Sequence, residues 1–319
     1  MKIKVGIVGY GNLGKAVEKI VLSNPNFTLV ACFSRRITKS KLNSKIESYD
    51  NILTYKNKID VLFLCGSSKS DIEIQAPELA KHFCTINSFD NHKKINELVN
   101  SLNAISNENK TISIVACGWD PGLFSIIRTL FFAISKETPY TFWGKGISMG
   151  HSDVIRQVSG VEDAVQFTIP NKEAVTLAKQ GLLSENTPRH YRECFVLANK
   201  NKHKQIEKDI KNTPNYFKGQ PTSVNFVSQI KLLKLKNKLS HSGKILTRFK
   251  SIDGWVSKMN FAVSMQSNPN FTASIMTAYA MAVKNLLSQK QYGAFTCLDI
   301  PPILLFEPHQ KEKIIEKFC

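Results

Sequence analysis

The sequence predicts an α/β fold, with a doubly wound parallel sheet in its first part and a second α+β domain after it. The first observation is that short, almost wholly apolar runs alternate with helical patterns over the first 120 residues. Such runs are typical of strands buried on both faces of a parallel sheet, and their alternation with helices indicates right-handed βαβ units. The second observation is the length of 319 residues, which exceeds the common domain size of about 100–150 residues and predicts two domains.

The first domain is predicted to contain five strands and two helices. The predicted strands cover Ile3–Val8, Thr28–Phe33, Val61–Cys65, Thr85–Phe89 and Ile112–Cys117. The predicted helices cover Leu13–Leu22 and Ile72–Phe83.

After Gly118 the pattern changes to mixed elements. A helix is predicted over Pro121–Ser135, with Asp120 as its cap and a proline in its first turn. Strands are predicted at Ala164–Ile169, Cys194–Ala198 and Val224–Leu235, helices at Lys200–Lys211 and Thr272–Leu287, and a solvated strand pair in the Lys-rich segment 231–250. Since the last helix is expected to return to the first domain, we predict a dinucleotide-binding domain at 1–120, completed by about 268–319. A substrate-binding and dimerisation domain is predicted at 121–267.

Composition narrows the class of protein. The hydrophobic share of 42% and charged share of 21% are typical of a globular enzyme and exclude a disordered, collagen-like or coiled-coil chain. No apolar run approaches the roughly 18 residues of a membrane span, and the N-terminus lacks a signal peptide's apolar region, so a cytoplasmic location is expected. The net charge of +18 comes from thinly spread lysines, which favour a solvated surface that attracts small anions over a nucleic-acid partner.

The seven cysteines form no CxxC pair, and no His/Cys spacing fits a zinc site. Cys32, Cys65 and Cys117 lie in apolar runs, where a free cysteine behaves as a small hydrophobic residue. We therefore expect reduced core cysteines, no metal and no catalytic thiol.

A glycine motif follows the first predicted strand and opens the first helix. It reads Gly9, Tyr10, Gly11, Asn12, Leu13, Gly14. Glycines at this spacing permit a tight turn, close approach of a pyrophosphate and close helix–strand packing, while the helix N-terminus offers free N–H groups to the anion. The motif predicts a Rossmann-type dinucleotide-binding domain.

The end of the second strand indicates which dinucleotide is bound. An NAD site would place Asp or Glu there to bond the ribose hydroxyls, whereas this strand ends in Ser34, Arg35 and Arg36, without an acid. Two guanidinium groups and a hydroxyl suit a 2′-phosphate, so NADP is predicted; the alternative is a solvated pair of loop arginines.

The remaining strand ends should face the same crevice, since ligands of such folds bind beyond the carboxyl ends of the strands. Asp90 and Asp120 are the acids at these ends, and two carboxylates near a nicotinamide would hold and orient a cationic group. Helix capping is the alternative for them, and the Asp120-Pro121 pair suits it equally well.

At these residues the chain resembles the meso-diaminopimelate D-dehydrogenase family. The segments that carry the resemblance are VGIVGYGNLG (5–14), FSRR (33–36), DVLFLCGSS (60–68), DNH (90–92), GWDPGLFSI (118–126), FWGKGISMGHSD (142–153) and NPNFTAS (268–274). The resemblance runs over essentially the whole chain. It implies a homodimer that carries out reversible, NADP-dependent oxidative deamination at the D-configured carbon of meso-2,6-diaminopimelate. The product is L-2-amino-6-oxopimelate, which cyclises to tetrahydrodipicolinate, in lysine biosynthesis.

The resemblance also implies residue roles. The cofactor would be lined by Tyr10, Gly11, Asn12, Leu13, Ser34, Arg35, Arg36, Cys65, Gly66, Ser67, Ser68, Ser88, Phe89, Asp90, Cys117, Gly118, Trp119, Asp120 and Pro121, and Asp90 and Asp120 would also meet the reacting amino group. Distal substrate contacts would be made by Trp143, Met149, Gly150, Thr168, Arg192, His241 and Asn268. In this scheme Arg192 clamps a substrate carboxylate, supported by Thr168 and His241.

Three hypotheses for function therefore stand. The first is an NADP-dependent amino-acid dehydrogenase, favoured by Asp90, Asp120 and Arg192 because they suit a zwitterionic substrate. The second is a related reductase of the dihydrodipicolinate or saccharopine type, or a D-amino-acid dehydrogenase with another substrate. The third is a non-catalytic NADP-binding or basic nucleic-acid-binding protein.

Overall fold

The computed structural model describes residues 2–36, 39–68 and 70–319. These residues form two compact units. The first runs from the N-terminus to Ile126 and includes Pro269–Cys319, and the second is Ile127–Asn268. The functions predicted for the two domains remain predictions.

The strands and helices follow each other in the order expected of an α/β region and then a mixed region. The strands are β1 (Ile3–Val8), β2 (Phe27–Ser34), β3 (Ile46–Ser48), β4 (Val61–Leu64), β5 (Cys84–Asn87), β6 (Ile112–Val115), β7 (Tyr140–Trp143), β8 (Gly146–Ile147), β9 (Val161–Pro170), β10 (His190–Ala198), β11 (Thr222–Phe226), β12 (His241–Lys250), β13 (Val256–Met265) and β14 (Gly293–Thr296). The α-helices are α1 (Asn12–Ser23), α2 (Ile72–Ala80), α3 (Ile95–Asn109), α4 (Leu123–Ser135), α5 (Met149–Arg156), α6 (Lys172–Gln180), α7 (His203–Lys211), α8 (Gln229–Lys236), α9 (Asn268–Ser288) and α10 (Lys311–Phe318).

The first unit is built on a seven-stranded sheet in the order β14-β6-β5-β4-β1-β2-β3. Every recorded pairing within it is parallel. Apolar side chains pack on both faces of the sheet: Val17 of α1 and Met276 of α9 belong to one core cluster, and Leu79 of α2 and Leu102 of α3 belong to the other. The predicted doubly wound parallel fold is confirmed, and the carboxyl ends of β1, β2, β4, β5 and β6 share one edge.

The second unit contains two smaller sheets. The four-stranded sheet has the order β11-β10-β9-β8, in which β9 pairs antiparallel with both β8 and β10. The three-stranded sheet β13-β12-β7 is antiparallel. Helices α5 and α7 pack on the four-stranded sheet through Ile155, Ile206 and Ile210, and the predicted α+β class is confirmed.

Two of the local predictions for this region are wrong. Residues 224–235 do not form one strand, because β11 ends at Phe226 and α8 begins at Gln229. The Ser228 side chain accepts the Lys231 N–H and caps that helix, and unbranched Gln, Lys and Leu residues favour it. The Lys-rich segment 231–250 is therefore a helix followed by strand β12, whose partners are β13 and β7.

The predicted cap at Asp120 is also wrong. Helix α4 begins at Leu123, because the preceding residues form a tight loop in which Gly118 donates its N–H to the Pro121 carbonyl and accepts the Leu123 N–H. Asp120 thus lies in the loop that follows β6 and not at the helix terminus.

Candidate functional site

Each of the three glycines in the first turn occupies a different structural environment. Gly9 has φ +90°, and a Cβ there would lie 3.1 Å from the Cys65 carbonyl carbon and the Gly66 nitrogen. A Cβ on Gly14 would lie 2.0 Å from the Gly9 carbonyl oxygen, so helix α1 can pack this closely only with glycine. Gly11 caps α1 and has no atom within 4 Å of its would-be Cβ. The open space beside a helix N-terminus without acidic residues fits a dinucleotide pyrophosphate.

The loops that follow the strands touch one another along the same sheet edge. The Gly9 turn contacts the loop after β4 at Cys65 and Gly66. That loop reaches the next one through the Asp90 N–H, which donates to Ser68 Oγ at 3.1 Å. A Cβ on Gly118 would lie 3.2 Å from the Ser88 Cβ, which joins the loops after β5 and β6. The structure therefore places the predicted cofactor residues along one continuous edge, although their contacts with a cofactor remain predictions.

An acid that the sequence prediction missed lies beside the end of β2. Arg35 and Arg36 are exposed, and Ser34 Oγ accepts the Arg36 N–H at 3.1 Å. However, Asp71 Oδ1 lies 2.6 Å from Arg35 Nη2, and Asp71 Oδ2 accepts the Ser67 N–H at 2.9 Å. Since Asp71 comes from the start of α2, only the folded chain brings it to this cleft. The Arg35 side chain, 64% exposed, is oriented by this ion pair and remains accessible to an anion.

Asp90 and Asp120 lie in the loops after β5 and β6. Asp90 is exposed and Asp120 half-buried. The aromatic residues before them are buried: Phe89 is fully inside, and Trp119 packs edge-on against Phe124 with ring centroids 5.1 Å apart. Each aromatic residue anchors its loop, so that the next side chain along is held at the carboxyl edge of the sheet. That these two carboxylates hold a cationic amino group remains a prediction.

In the second unit, Thr168 and Arg192 lie opposite each other in the β9–β10 pair. Arg192 Nη1 donates to Thr168 Oγ1 at 2.8 Å, whereas Arg192 Nε is buried without a hydrogen-bond partner. Burial lowers the pKa of this guanidinium, and in the described part of the chain it forms no ion pair with a carboxylate. An anionic partner would stabilise a half-buried cation in this state, because a desolvated charge without a counter-charge is costly. That a substrate carboxylate is this partner remains a prediction.

The loop after β7 lies against the same strands. Gly144 has φ +108°, and a Cβ there would lie 2.0 Å from the Thr168 carbonyl oxygen. A Cβ on Gly146 would lie 2.0 Å from Cδ2 of His241, whose ring is buried and whose pKa is lowered by that burial. Four predicted distal residues, Trp143, Thr168, Arg192 and His241, are therefore grouped around one loop of this unit.

The remaining predicted residues are more peripheral. Met149 and Gly150 begin helix α5; Met149 is 59% exposed, and a Cβ on Gly150 would meet nothing within 4 Å. The Asn268 N–H donates to the Leu239 carbonyl at 2.8 Å, two residues before His241. Their roles toward a substrate remain predictions.

Two histidines near Arg192 were missed by the sequence prediction. His151 Nδ1 lies 2.8 Å from Ser148 Oγ, and His190 Nε2 accepts the Trp143 N–H at 2.8 Å. Burial, reinforced by the Arg192 charge, lowers the pKa of His151 to about 4. Burial followed by Arg192 and Arg189 lowers the pKa of His190 to about 3. His151 lies in the GHSD segment, which is one of the segments that carry the family resemblance, so the sequence could have indicated it. Nothing in the sequence singles out His190.

Other chemistries have no support in the described residues. They contain no group of three or more His, Cys, Asp or Glu side chains arranged to hold a metal ion. The cysteines are free thiols, all buried except Cys319. Among the same residues, no helix has the length and apolar character needed to cross a bilayer.

The parallel sheet of the first unit and its glycine turn are typical of dinucleotide-binding domains. Residues 118–267 match the family model of the diaminopimelic acid dehydrogenase C-terminal domain. The chain is 42% identical over 307 residues to meso-diaminopimelate D-dehydrogenase of Ureibacillus thermosphaericus, an alignment that covers 94% of each chain. The chain belongs to the meso-diaminopimelate D-dehydrogenase family.

Solved structures show the same relationship. The diaminopimelate dehydrogenase of C. glutamicum in complex with diaminopimelate superposes with a TM-score of 0.94 and 36% identity, over 100% of this chain and 99% of that one. An engineered D-amino acid dehydrogenase bound to NADP+ superposes with a TM-score of 0.91 and 35% identity over the whole of both chains.

Proposed function

We propose that this chain catalyses the reversible, NADP-dependent oxidative deamination of the D-centre of meso-2,6-diaminopimelate to L-2-amino-6-oxopimelate, which cyclises to tetrahydrodipicolinate. Membership of the family supports this activity, and lysine biosynthesis is the process that it serves. The observation in this chain that carries the proposal is the half-buried guanidinium of Arg192, whose buried Nε has no hydrogen-bond partner and which forms no ion pair with a carboxylate of the described residues. A substrate with a second amino-acid end supplies that carboxylate.

NADP fits the residues at the carboxyl edge of the first sheet. The N-terminus of α1 and the open space beside Gly11 suit the pyrophosphate. The exposed Arg35 and Arg36, with Ser34, suit the 2′-phosphate, since guanidinium groups form charge-assisted hydrogen bonds with phosphate oxygens. When bound, the nicotinamide accepts the hydride that leaves the substrate carbon.

The protein contributes positioning and electrostatics. Asp90 and Asp120 hold and orient the amino group at the D-centre, which must be neutral when the hydride leaves so that its lone pair can form the carbon–nitrogen double bond. Arg192, with Thr168 and His241, binds the carboxylate of the L-end and thereby selects which end reacts. Proper orientation of the reacting carbon supplies a large share of the rate enhancement in such reactions.

The chain is further proposed to act as a homodimer in the cytoplasm, without a nucleic-acid or membrane partner. The hairpin formed by β12 and β13 has an exposed apolar tip, where Ile252 is fully exposed and Trp255 is 76% exposed. Contiguous exposed apolar groups are typical of association surfaces. Free thiols at all seven cysteine positions suit a reducing compartment.

The experiment that tests the proposal is a spectrophotometric assay of NADP+ reduction with meso-diaminopimelate. We expect saturable turnover that requires this substrate, with little turnover of D-alanine, which lacks the distal end. The alternative, a related reductase or a dehydrogenase for another D-amino acid, predicts that D-alanine or another simple D-amino acid turns over better than meso-diaminopimelate.

A further inference from the structure

His190, the first residue of β10, is only 5% exposed and contacts Trp143 in two ways. Its Nε2 accepts the Trp143 backbone N–H at 2.8 Å. Its ring also stacks on the indole, with centroids 5.1 Å apart and planes 26° apart. Because Nε2 is an acceptor, the proton of the neutral ring is on Nδ1.

This hydrogen bond provides an acceptor for a backbone N–H at the edge of a sheet. Strand β7 is an edge strand of the three-stranded sheet, and the Gly144 N–H bonds to the Ser242 carbonyl of β12 at 2.8 Å. Successive N–H groups of a strand point to opposite sides, so the Trp143 N–H points away from β12. An N–H that folding removes from water without supplying an acceptor destabilises the folded state. The His190 side chain, which belongs to the other sheet of the unit, supplies this acceptor.

The same strand connects His190 to the group around Arg192. His190 and Arg192 are two residues apart and share one face of β10, and their partners in β9 are Pro170 and Thr168. Burial and the neighbouring arginines keep the pKa of His190 far below neutrality. A protonated ring could not accept the Trp143 N–H and would place a second cation beside Arg192. The contact with Trp143 and the proximity of Arg192 therefore both favour the neutral ring.

We propose that His190 is a positioning residue that fixes Trp143 and the loop after it against the strands that carry Thr168 and Arg192, and so determines affinity for the distal end of the substrate. This inference rests on the proposed function, in which Trp143 contacts that end. His190 itself acts through Trp143 and does not touch the substrate.

Two substitutions separate the hydrogen bond from the packing. H190F retains a ring against Trp143 but removes the acceptor, whereas H190Q retains an acceptor on a side chain of similar length. His203 provides the matched control, because it stacks on Phe226 at 3.6 Å and lies 3.2 Å from the Ala198 carbonyl in the same unit, away from this group. H203F is expected to leave the KM for meso-diaminopimelate and the KM for NADP+ unchanged.

The first measurement is residue-resolved amide hydrogen exchange, which needs no substrate. In H190F the Trp143 amide should exchange about tenfold faster or more, the change expected for one lost hydrogen bond. In H190Q it should remain near the wild-type rate, and the Gly144 amide should be unchanged in both. An unchanged Trp143 rate in H190F would overturn the assignment of the bond.

The second measurement separates KM from kcat. In H190F we expect the KM for meso-diaminopimelate to rise about tenfold while kcat and the KM for NADP+ change less than about twofold, with recovery in H190Q. If H190F does not fold, H190M, which also lacks an acceptor at that place, serves instead. Equal losses in H190F and H190Q, or a fall in kcat without a change in substrate KM, would contradict the positioning role. Absence of wild-type turnover of meso-diaminopimelate would instead reject the proposed function and leave the exchange result to decide on His190.

Discussion

Replacement of Arg192 by alanine should weaken recognition of the substrate at one end only. In the structure, Arg192 donates through Nη1 to Thr168 while its buried Nε lacks a partner, so a bound carboxylate is its natural counter-charge. Removing one member of a buried charge pair costs roughly 2–5 kcal/mol, because the opposite charge is left unpaired. We therefore expect kcat/KM for meso-diaminopimelate to fall by about 30-fold or more.

The assay is steady-state NADPH formation with each substrate varied in turn. R192A should leave the KM for NADP+ nearly unchanged, because the residues predicted to hold the cofactor are in the other unit. The fall in kcat/KM for meso-diaminopimelate should be smaller in R192K than in R192A, since lysine keeps the charge but not the planar fork of donors. Arg248, which lies on β12 beside Gly181, provides a control arginine in the same unit, and R248A should retain wild-type kcat/KM. A kcat/KM for R192A within about threefold of the wild type would refute the carboxylate clamp, because even the smaller expected cost exceeds that factor.

Three further predictions follow from the charges of the chain. Replacing Arg35 and Arg36 by alanine should weaken the binding of NADPH much more than that of NADH in titrations, since each charge-assisted bond contributes about 1.5–3 kcal/mol. Equal losses of affinity for the two cofactors would reject the 2′-phosphate assignment. Burial lowers the folded-state pKa of His190 to about 3, so the unfolded state binds more protons below its own pKa of about 6.5. Stability should fall as the pH drops through that value, by roughly 2 kcal/mol for His190 at pH 5. Urea unfolding at pH 7 and pH 5 should show a smaller fall in H190Q, and an identical fall would contradict the assignment. Any binding to duplex DNA should be weak and collapse with salt, and tight, sequence-dependent binding in a gel shift at physiological salt would overturn this prediction.

The sequence was most informative where local chemistry and chain order determine the structure. Buried β-branched runs predicted β1, β2, β4, β5 and β6 to within one or two residues, because strands covered on both faces admit almost no polar side chains. The turn from Gly9 to Gly14 was predicted from the spacing of its glycines. Gly9 and Gly14 each meet a steric requirement, whereas Gly11 leaves open space beside the helix N-terminus.

The sequence was less informative where contacts join distant parts of the chain. Asp71 reaches Arg35 only through the fold, and so the end of β2 seemed free of acids. The contact of His190 with Trp143 joins two sheets and depends on which side of β7 faces its neighbour. The start of α8 was missed because lysines alternating with leucines suit either a strand or a helix, and the cap at Ser228 decides between them.

The measurement that tests the central claim most directly compares the stereoisomers of diaminopimelate as substrates for NADP+ reduction. The account requires the protein to bind one end as an L-amino acid and to oxidise the other at its D-centre. It therefore predicts rapid turnover of the meso isomer and little or no turnover of the L,L isomer under the same conditions. Oxidation of the L,L isomer at a rate comparable to that of the meso form would contradict it.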